Sequence, residues 1–150
     1  MWIFDRFRGD EVERQIKRLR SKRSTRDDVV EAMGELRDMG GRAVLPLIQV
    51  LLNRDEGHVF RCRVADTLAW LKDGRAVEPL ITTLSDSNEQ VRWHGVKALE
   101  EIGDRRAIPE LRRIAESDEG QFSIPGGRVH FVLKEDARKA IEKIEASTKH

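Results

Sequence analysis

Gly74-Arg75-Ala76-Val77-Glu78-Pro79-Leu80 has two close copies in the same chain, Gly41-Arg42-Ala43-Val44-Leu45-Pro46-Leu47 before it and Arg105-Arg106-Ala107-Ile108-Pro109-Glu110-Leu111 after it. Arg42 and Arg75 stand 33 residues apart, and Arg75 and Arg106 stand 31 apart. A period of this length belongs to stacked helical hairpins, in which each unit buries its apolar face only against its neighbours. Each copy opens a helix, here helix A of its unit. Ala76, Val77, Leu80, Ile81 and Leu84 recur at helical spacing, and Ala43, Val44, Leu47, Ile48 and Leu51 match them. The prolines fall in the early turns, where a missing amide costs little.

Downstream of the middle copy, the polar break Ser85-Asp86-Ser87-Asn88 leads into a second helix, B, with Ser87 and Gln90 spaced as a capping box. Its core face is Val91, Gly95, Ala98, Leu99 and Ile102, and Gly103 stands where a helix would stop. The same face recurs 31 residues earlier as Phe60, Val64, Thr67, Leu68 and Leu71, and 42 residues later as Leu133, Ala137, Ala140, Ile141 and Ile144. A partial unit precedes these, with Val12, Ile16 and Leu19 on one helix and Val29, Ala32, Met33, Leu36 and Met39 on the next. The spacing predicts a single all-α domain over 1–150, a superhelix of four pairs: 10–22 with 26–39, 42–53 with 58–72, 75–85 with 88–102, and 106–116 with 133–146.

The two helices of the last unit are offset by 31 and 42, which places an insertion of 11 residues within Asp118 to Val132. Phe122 and Ile124, then Val129 and Phe131, alternate with polar residues on either side of Pro125-Gly126-Gly127. Such alternation around a turn predicts a small β-hairpin near 119–132. Two roles stay open: an apolar cap on the exposed end of the array, or a finger that binds a partner through Phe122, Ile124 and Phe131.

Charged residues make up 37% of the chain with a net charge of only +1, as expected of a soluble surface laced with both signs. The balance is uneven: residues 1–26 carry nine basic and four acidic side chains, net +5, and the remainder is net −4. A basic end attracts phosphate or acidic protein, but a solvated face is the commoner role of a charge run. No apolar run approaches a membrane span, and a single cysteine, Cys62, fits a reducing cytoplasm. The opening residues include Trp2, Ile3, Phe4 and Phe7. They are too few for stable membrane-surface binding and are expected to fold back over the first pair as an N-terminal cap segment, 1–9.

The pattern Gly-x-Arg-Ala-Val-x-Pro-Leu, continued by Val-Arg-x-x-(small)-x-x-Ala-Leu-x-x-Ile-Gly over residues 74–103, resembles the short HEAT-like repeat of the phycobilisome-lyase type. The resemblance implies a right-handed superhelix with A helices on the convex side and B helices lining the concave side. It also implies a structural ladder between units from Asp55, Arg61, Asp86 and Arg92, with Lys134 in the matching place of the last unit. Deoxyhypusine hydroxylases of this architecture hold two irons with His-Glu dipeptides that would fall at Trp93-His94 and Cys62-Arg63, and no His-Glu occurs in this chain. Bilin lyase subunits and HEAT-like DNA glycosylases are the other functions the resemblance raises. The net −4 of residues 27–150 argues against duplex nucleic acid.

No phosphate loop, nucleophile elbow or kinase signature is present. Four scattered histidines offer no metal pair. Cys62 lies four residues after His58 at a helix start, a position that favours a thiolate, yet no third group is evident. Helical geometry at 100° per residue places Trp93, Lys97 and Glu100 opposite the core face of the third B helix. Cys62, Asp66 and Ala69 match them one unit earlier, and Glu135, Lys139 and Glu142 in the last unit. Trp93, Trp70 and the small residues between them form a candidate anchor pocket for a peptide. The expected function is thus a non-enzymatic scaffold that binds a protein or peptide, without cofactor or metal, on the concave face.

Overall fold

A computed structural model of the chain describes the backbone of residues 2–117, 121–123 and 130–147, and the side chains of 11–117 and 133–147. Eight α-helices follow one another among the described residues: α1 (Trp2–Arg20), α2 (Arg26–Asp38), α3 (Gly41–Leu52), α4 (His58–Leu71), α5 (Val77–Thr83), α6 (Glu89–Ile102), α7 (Ile108–Glu116) and α8 (Leu133–Ser147). Odd and even helices pair as hairpins. The odd ones stack as an A layer and the even ones as a B layer, with the tightest stacking between α4 and α6. The all-α superhelix and its four pairs are therefore as the periodicity predicts.

One continuous core runs between the layers, from Leu19 and Leu36 through Leu47, Leu68, Leu80 and Leu99 to Leu111 and Ile144, all buried. Each hairpin buries one apolar stripe on its partner and the flanks on the units either side. Burial of this kind, at roughly 25 cal/mol per Å² of apolar surface, is what holds a solenoid together.

The helix ends refine the sequence picture. The middle and last copies of the repeated phrase begin as 3-10 turns, Gly74–Ala76 and Arg105–Ala107, whose N-caps Asp73 and Asp104 accept hydrogen bonds from the amides of Arg75 and Arg106. Pro79 and Pro109 thus lie in the first turn of α5 and α7, as expected, but Pro46 sits in the interior of α3. Ser87 does not cap α6. Asn88 does, accepting from the amides of Gln90 and Val91, because Asp86 already turns the chain by accepting from the Asn88 amide. A capping box does occur at α2, between Thr25 and Asp28.

Residues 2–9, expected to fold back as a cap, form the opening of α1 itself. Between α7 and α8, strands β1 (Gln121–Ser123) and β2 (His130–Val132) pair antiparallel with Phe122 opposite Phe131, and β2 runs directly into α8. Ile124 and the Pro125-Gly126-Gly127 turn lie outside the described residues, as do the side chains of Trp2, Phe4, Phe7, Phe122 and Phe131. No described helix is long and apolar enough to cross a membrane.

Candidate functional site

The B layer is built around α4 and α6. Arg61 on α4 donates through Nη2 to Asp86 Oδ2 at 2.7 Å, and through Nε to the carbonyl of Leu51 at 2.9 Å. Both charged side chains are about 95% out of solvent, with exposures of 6% and 5%. Burial alone would raise the Asp86 carboxyl. The hydrogen bonds from Arg61 and from the Asn88 amide, with the charges of Arg61 and Arg54, outweigh it and hold the group below its ordinary value.

This pair joins the second unit to the third and is the one rung of the expected ladder found among the described residues. Asp55 is exposed and, among the described residues, forms no rung, because the α2 position matching Arg61 is Val29, which has no guanidinium to offer. Arg92 turns back on its own unit, donating to the carbonyls of Asp86 and Ser87, and its buried Nε has no partner among the described residues.

Above the rung, polar contacts stitch the B helices together. His94 Nδ1 lies 2.7 Å from Asp66 Oδ1, which joins α6 to α4 and requires the proton on Nδ1. On the other side, Trp93 Nε1 donates to Asp136 Oδ2 at 3.0 Å, and Lys143 donates to Glu101 at 2.9 Å with Glu100 at 3.5 Å. Lys97 also pairs with Glu100. The Trp93 ring meets His94 edge-on, with centroids 4.9 Å apart.

The face that helical geometry predicts is thereby rotated. Cys62 and Ala69, expected to line an open pocket, are only 6% and 5% exposed. A wheel drawn from the core axis neglects that α4 is flanked on both sides within its own layer, which widens its buried arc. Val59, Arg63, Asp66 and Trp70, at i, i+4, i+7 and i+11, form the outward stripe instead, and Trp70 is 43% exposed. Trp93 and Trp70 do not converge on one pocket: Trp93 packs toward α8, whereas Trp70 lies under Arg37 of α2, whose Cζ is 5.9 Å from the ring centroid. Glu135, Lys139 and Glu142 are exposed on α8.

Cys62 carries no activated thiol. Burial, and next the Asp66 carboxylate, push it up to about 12, which overrides the helix start, while His58 is exposed. Among the described residues no group of three or more His, Cys, Asp or Glu could hold a metal ion.

Residues 44–122 match the HEAT repeat family. The chain belongs to that family. Over 109 residues it is 31% identical to phycocyanobilin lyase subunit alpha of a Picosynechococcus species, which covers 69% of this chain and 41% of that protein. Its fold matches one subunit in the solved complex of CpcE and CpcF of phycocyanin lyase from a Nostoc species, with a TM-score of 0.65 and 25% identity over 91% of this chain and 54% of that one. It also matches human deoxyhypusine hydroxylase in complex with glycerol, with a TM-score of 0.71 and 20% identity over 100% of this chain and 49% of that one. The last likeness is one of fold alone. The chain spans about half the length of these relatives, or less.

The HEAT units are also joined on the A side, by a ladder the sequence reading overlooked. Arg75 grips Asp73 with Nε and Nη2 and donates from Nη2 to the Gly41 carbonyl at 3.1 Å. Arg106 repeats this with Asp104 and the Gly74 carbonyl at 3.0 Å. A Cβ on Gly41 would come within 2.9 Å of Arg75 Nη2, and on Gly74 within 3.3 Å of Arg106 Nη2. The glycine of the phrase thus makes room for the next unit's arginine. The signal was visible: aspartate stands two residues before arginine in Asp73-Gly74-Arg75 and in Asp104-Arg105-Arg106.

Proposed function

We propose that this chain is a binding module of protein assemblies, with the B layer as its contact surface and no chemistry of its own. The observation that carries this is the division of labour between the layers. Among the described residues the A side carries the Arg75–Gly41 and Arg106–Gly74 rungs and exposes only the aliphatic Leu45 and Leu52, while the B side combines a fixed polar lattice with an exposed aromatic, Trp70, beside Val59. An exposed aromatic beside a rigid surface is the usual anchor of a protein contact.

Photo-crosslinking tests it. A photoreactive residue in place of Trp70 is expected to capture a discrete partner in native lysate, and the same residue in place of Leu45 on α3 is not. Equal capture at the two positions, or capture at Leu45 alone, overturns the B-layer assignment.

A second reading is favoured by the 31% identity to phycocyanobilin lyase subunit alpha and by the likeness to a subunit of the CpcE–CpcF complex. On it, the chain is a bilin lyase-type or chaperone-like accessory subunit that works with a further subunit. Phycocyanobilin added to the purified protein, alone and with a second HEAT-type subunit, would then change its visible absorbance. An unchanged spectrum in both mixtures removes this reading.

A further inference from the structure

We infer that the corner where α1 turns into α2 docks a short acidic segment of a partner protein, a contact separate from the B-layer surface proposed above. From Arg14 to Arg26 the chain holds seven cations and no acidic residue. Three of the seven are matched from outside the run: Arg14 by Glu11 at 2.7 Å, Arg18 by Glu31 at 2.6 Å, and Arg20 by Glu56. Lys17, Lys22, Arg23 and Arg26 are exposed and meet no carboxylate among the described residues.

The corner is held from beneath. Arg63 of α4 donates to the carbonyls of Leu19 at 2.6 Å and Ser21 at 3.4 Å, and the Ser24 hydroxyl donates to the Arg18 carbonyl at 2.9 Å. Thr25 and Asp28 then close the capping box that starts α2. These bonds fix the backbone from which Lys22 and Arg23 project, so little ordering remains to be done on binding. Arg63 bonds only to neutral carbonyls there, and its positive charge adds to that of the corner. Elsewhere exposed arginines are matched within the fold, Arg75 by Asp73, Arg106 by Asp104 and Arg113 by Glu110. Arg105 and Lys139 are unmatched too, but they belong to separate elements.

The size of the patch sets the kind of anion. The last two turns of α1, about 11 Å long, and the turn beyond them make a footprint that about four extended residues cover. Carboxylates border it: Glu13 on α1, Asp27 and Asp28 at the start of α2, and Asp55 in the loop that Glu56 ties to Arg20. A nucleic-acid duplex or an anionic bilayer carries its charge over a far wider area. Either would meet those carboxylates and the net −4 of residues 27–150, whereas an acidic segment of a few residues meets the cations alone. Phe60, beneath Arg20, is buried and offers no face for base stacking.

The test measures fluorescence anisotropy of a labelled glutamate–glycine repeat peptide, and of its lysine–glycine counterpart, against the full chain. The glutamate peptide is expected to bind at least about tenfold more tightly than the lysine peptide, with an affinity that falls as salt rises. Lys22→Glu with Arg23→Glu should weaken it about tenfold or more. Both side chains are exposed and unmatched, so folding is retained, as an unchanged melting curve would show. Arg105→Glu with Lys139→Glu makes the same change in net charge on other elements and should leave the affinity within about twofold. Equal affinity of the two peptides, or equal loss in the two variants, overturns the proposal. Duplex DNA and phosphatidylserine vesicles, added as competitors at equal charge, should displace the peptide poorly. Displacement by either at a lower concentration than unlabelled peptide also overturns the proposal, and gives the corner to that partner instead. Crosslinking at Trp70 reports on the B layer alone, so the binding module stands or falls separately.

Discussion

The α2–α4 and α4–α6 seams are the same junction one repeat apart, and they are finished in opposite ways. Between α4 and α6 the helices pack closely over the buried Arg61–Asp86 pair. Between α2 and α4 the position matching Arg61 is Val29, the aspartate of that rung, Asp55, stands in solvent, and valine and tryptophan remain on the surface. On the proposed function, stability and binding occupy different registers of one repeat. Where the ladder is complete the seam is sealed, and where it is missing valine and tryptophan side chains stay exposed.

The largest effect should come from breaking the sealed seam. Asp86→Ala leaves the Arg61 guanidinium buried with only the Leu51 carbonyl, and removal of one partner from a buried ion pair costs about 3–5 kcal/mol. Urea denaturation measures it, and a loss below about 1 kcal/mol would show that the pair contributes little. Asp55→Ala, the same change at the open seam, should be nearly silent.

Acid makes the same cut reversibly. Asp86 is held below its ordinary value by Arg61, and Asp73 is lowered to about 2 by the Arg75 side chain and amide. A carboxyl depressed in the folded state contributes stability above its unfolded pKa, about 3.9, and loses it as pH falls through the folded value. The melting temperature should accordingly drop between about pH 4 and pH 2, and Asp86→Asn should flatten part of that drop. A parallel profile in the variant would exclude the pair as its source.

A smaller loss follows from crowding the same unit. Gly95 sits where α6 crosses the end of α5, and a Cβ there would come within 2.3 Å of Thr83 Oγ1 and 3.2 Å of Leu84 Cδ2. Thr83 cannot readily swing away, since its hydroxyl donates to the Leu80 carbonyl at 2.6 Å. Gly95→Ala should cost about 1–3 kcal/mol, as overpacking does. Adding Thr83→Ala should recover part of it, and strictly additive losses in that double-mutant cycle would place the crowding elsewhere.

The repeated phrase disclosed the units, the pairing and most helix limits because apolar spacing is a property of one helix at a time. What it could not disclose is decided between helices. Cys62 and Ala69 look outward on a single wheel but are buried within the B layer, and Trp93 finds Asp136 only across the offset that the insertion creates. The A-side ladder lay within reach, since the aspartates of Asp73-x-Arg75 and Asp104-x-Arg106 stand directly before two of the phrases. Asp55 and Arg92 were misplaced for a different reason: a rung needs a matching partner in the neighbouring unit, and the position matching Arg61 beside Asp55 is Val29, while Arg92 donates to the carbonyls of Asp86 and Ser87 in its own unit.

The smallest effect on stability should come from the open seam, and it sharpens the comparison most. Trp70 is 43% exposed, and Arg37 lies over its ring, a contact worth about 0.5–1 kcal/mol at an exposed site. Trp70→Ala should therefore cost about 1–2 kcal/mol in urea denaturation, well below a core aromatic, although tryptophan is the largest side chain on α4. A loss that small would fit the proposed role of Trp70 as a contact residue of the B layer. A loss of about 3 kcal/mol or more, the cost of truncating a core aromatic, would mean that Trp70 seals its seam as Arg61 and Asp86 seal theirs, and the contrast between the two junctions would collapse.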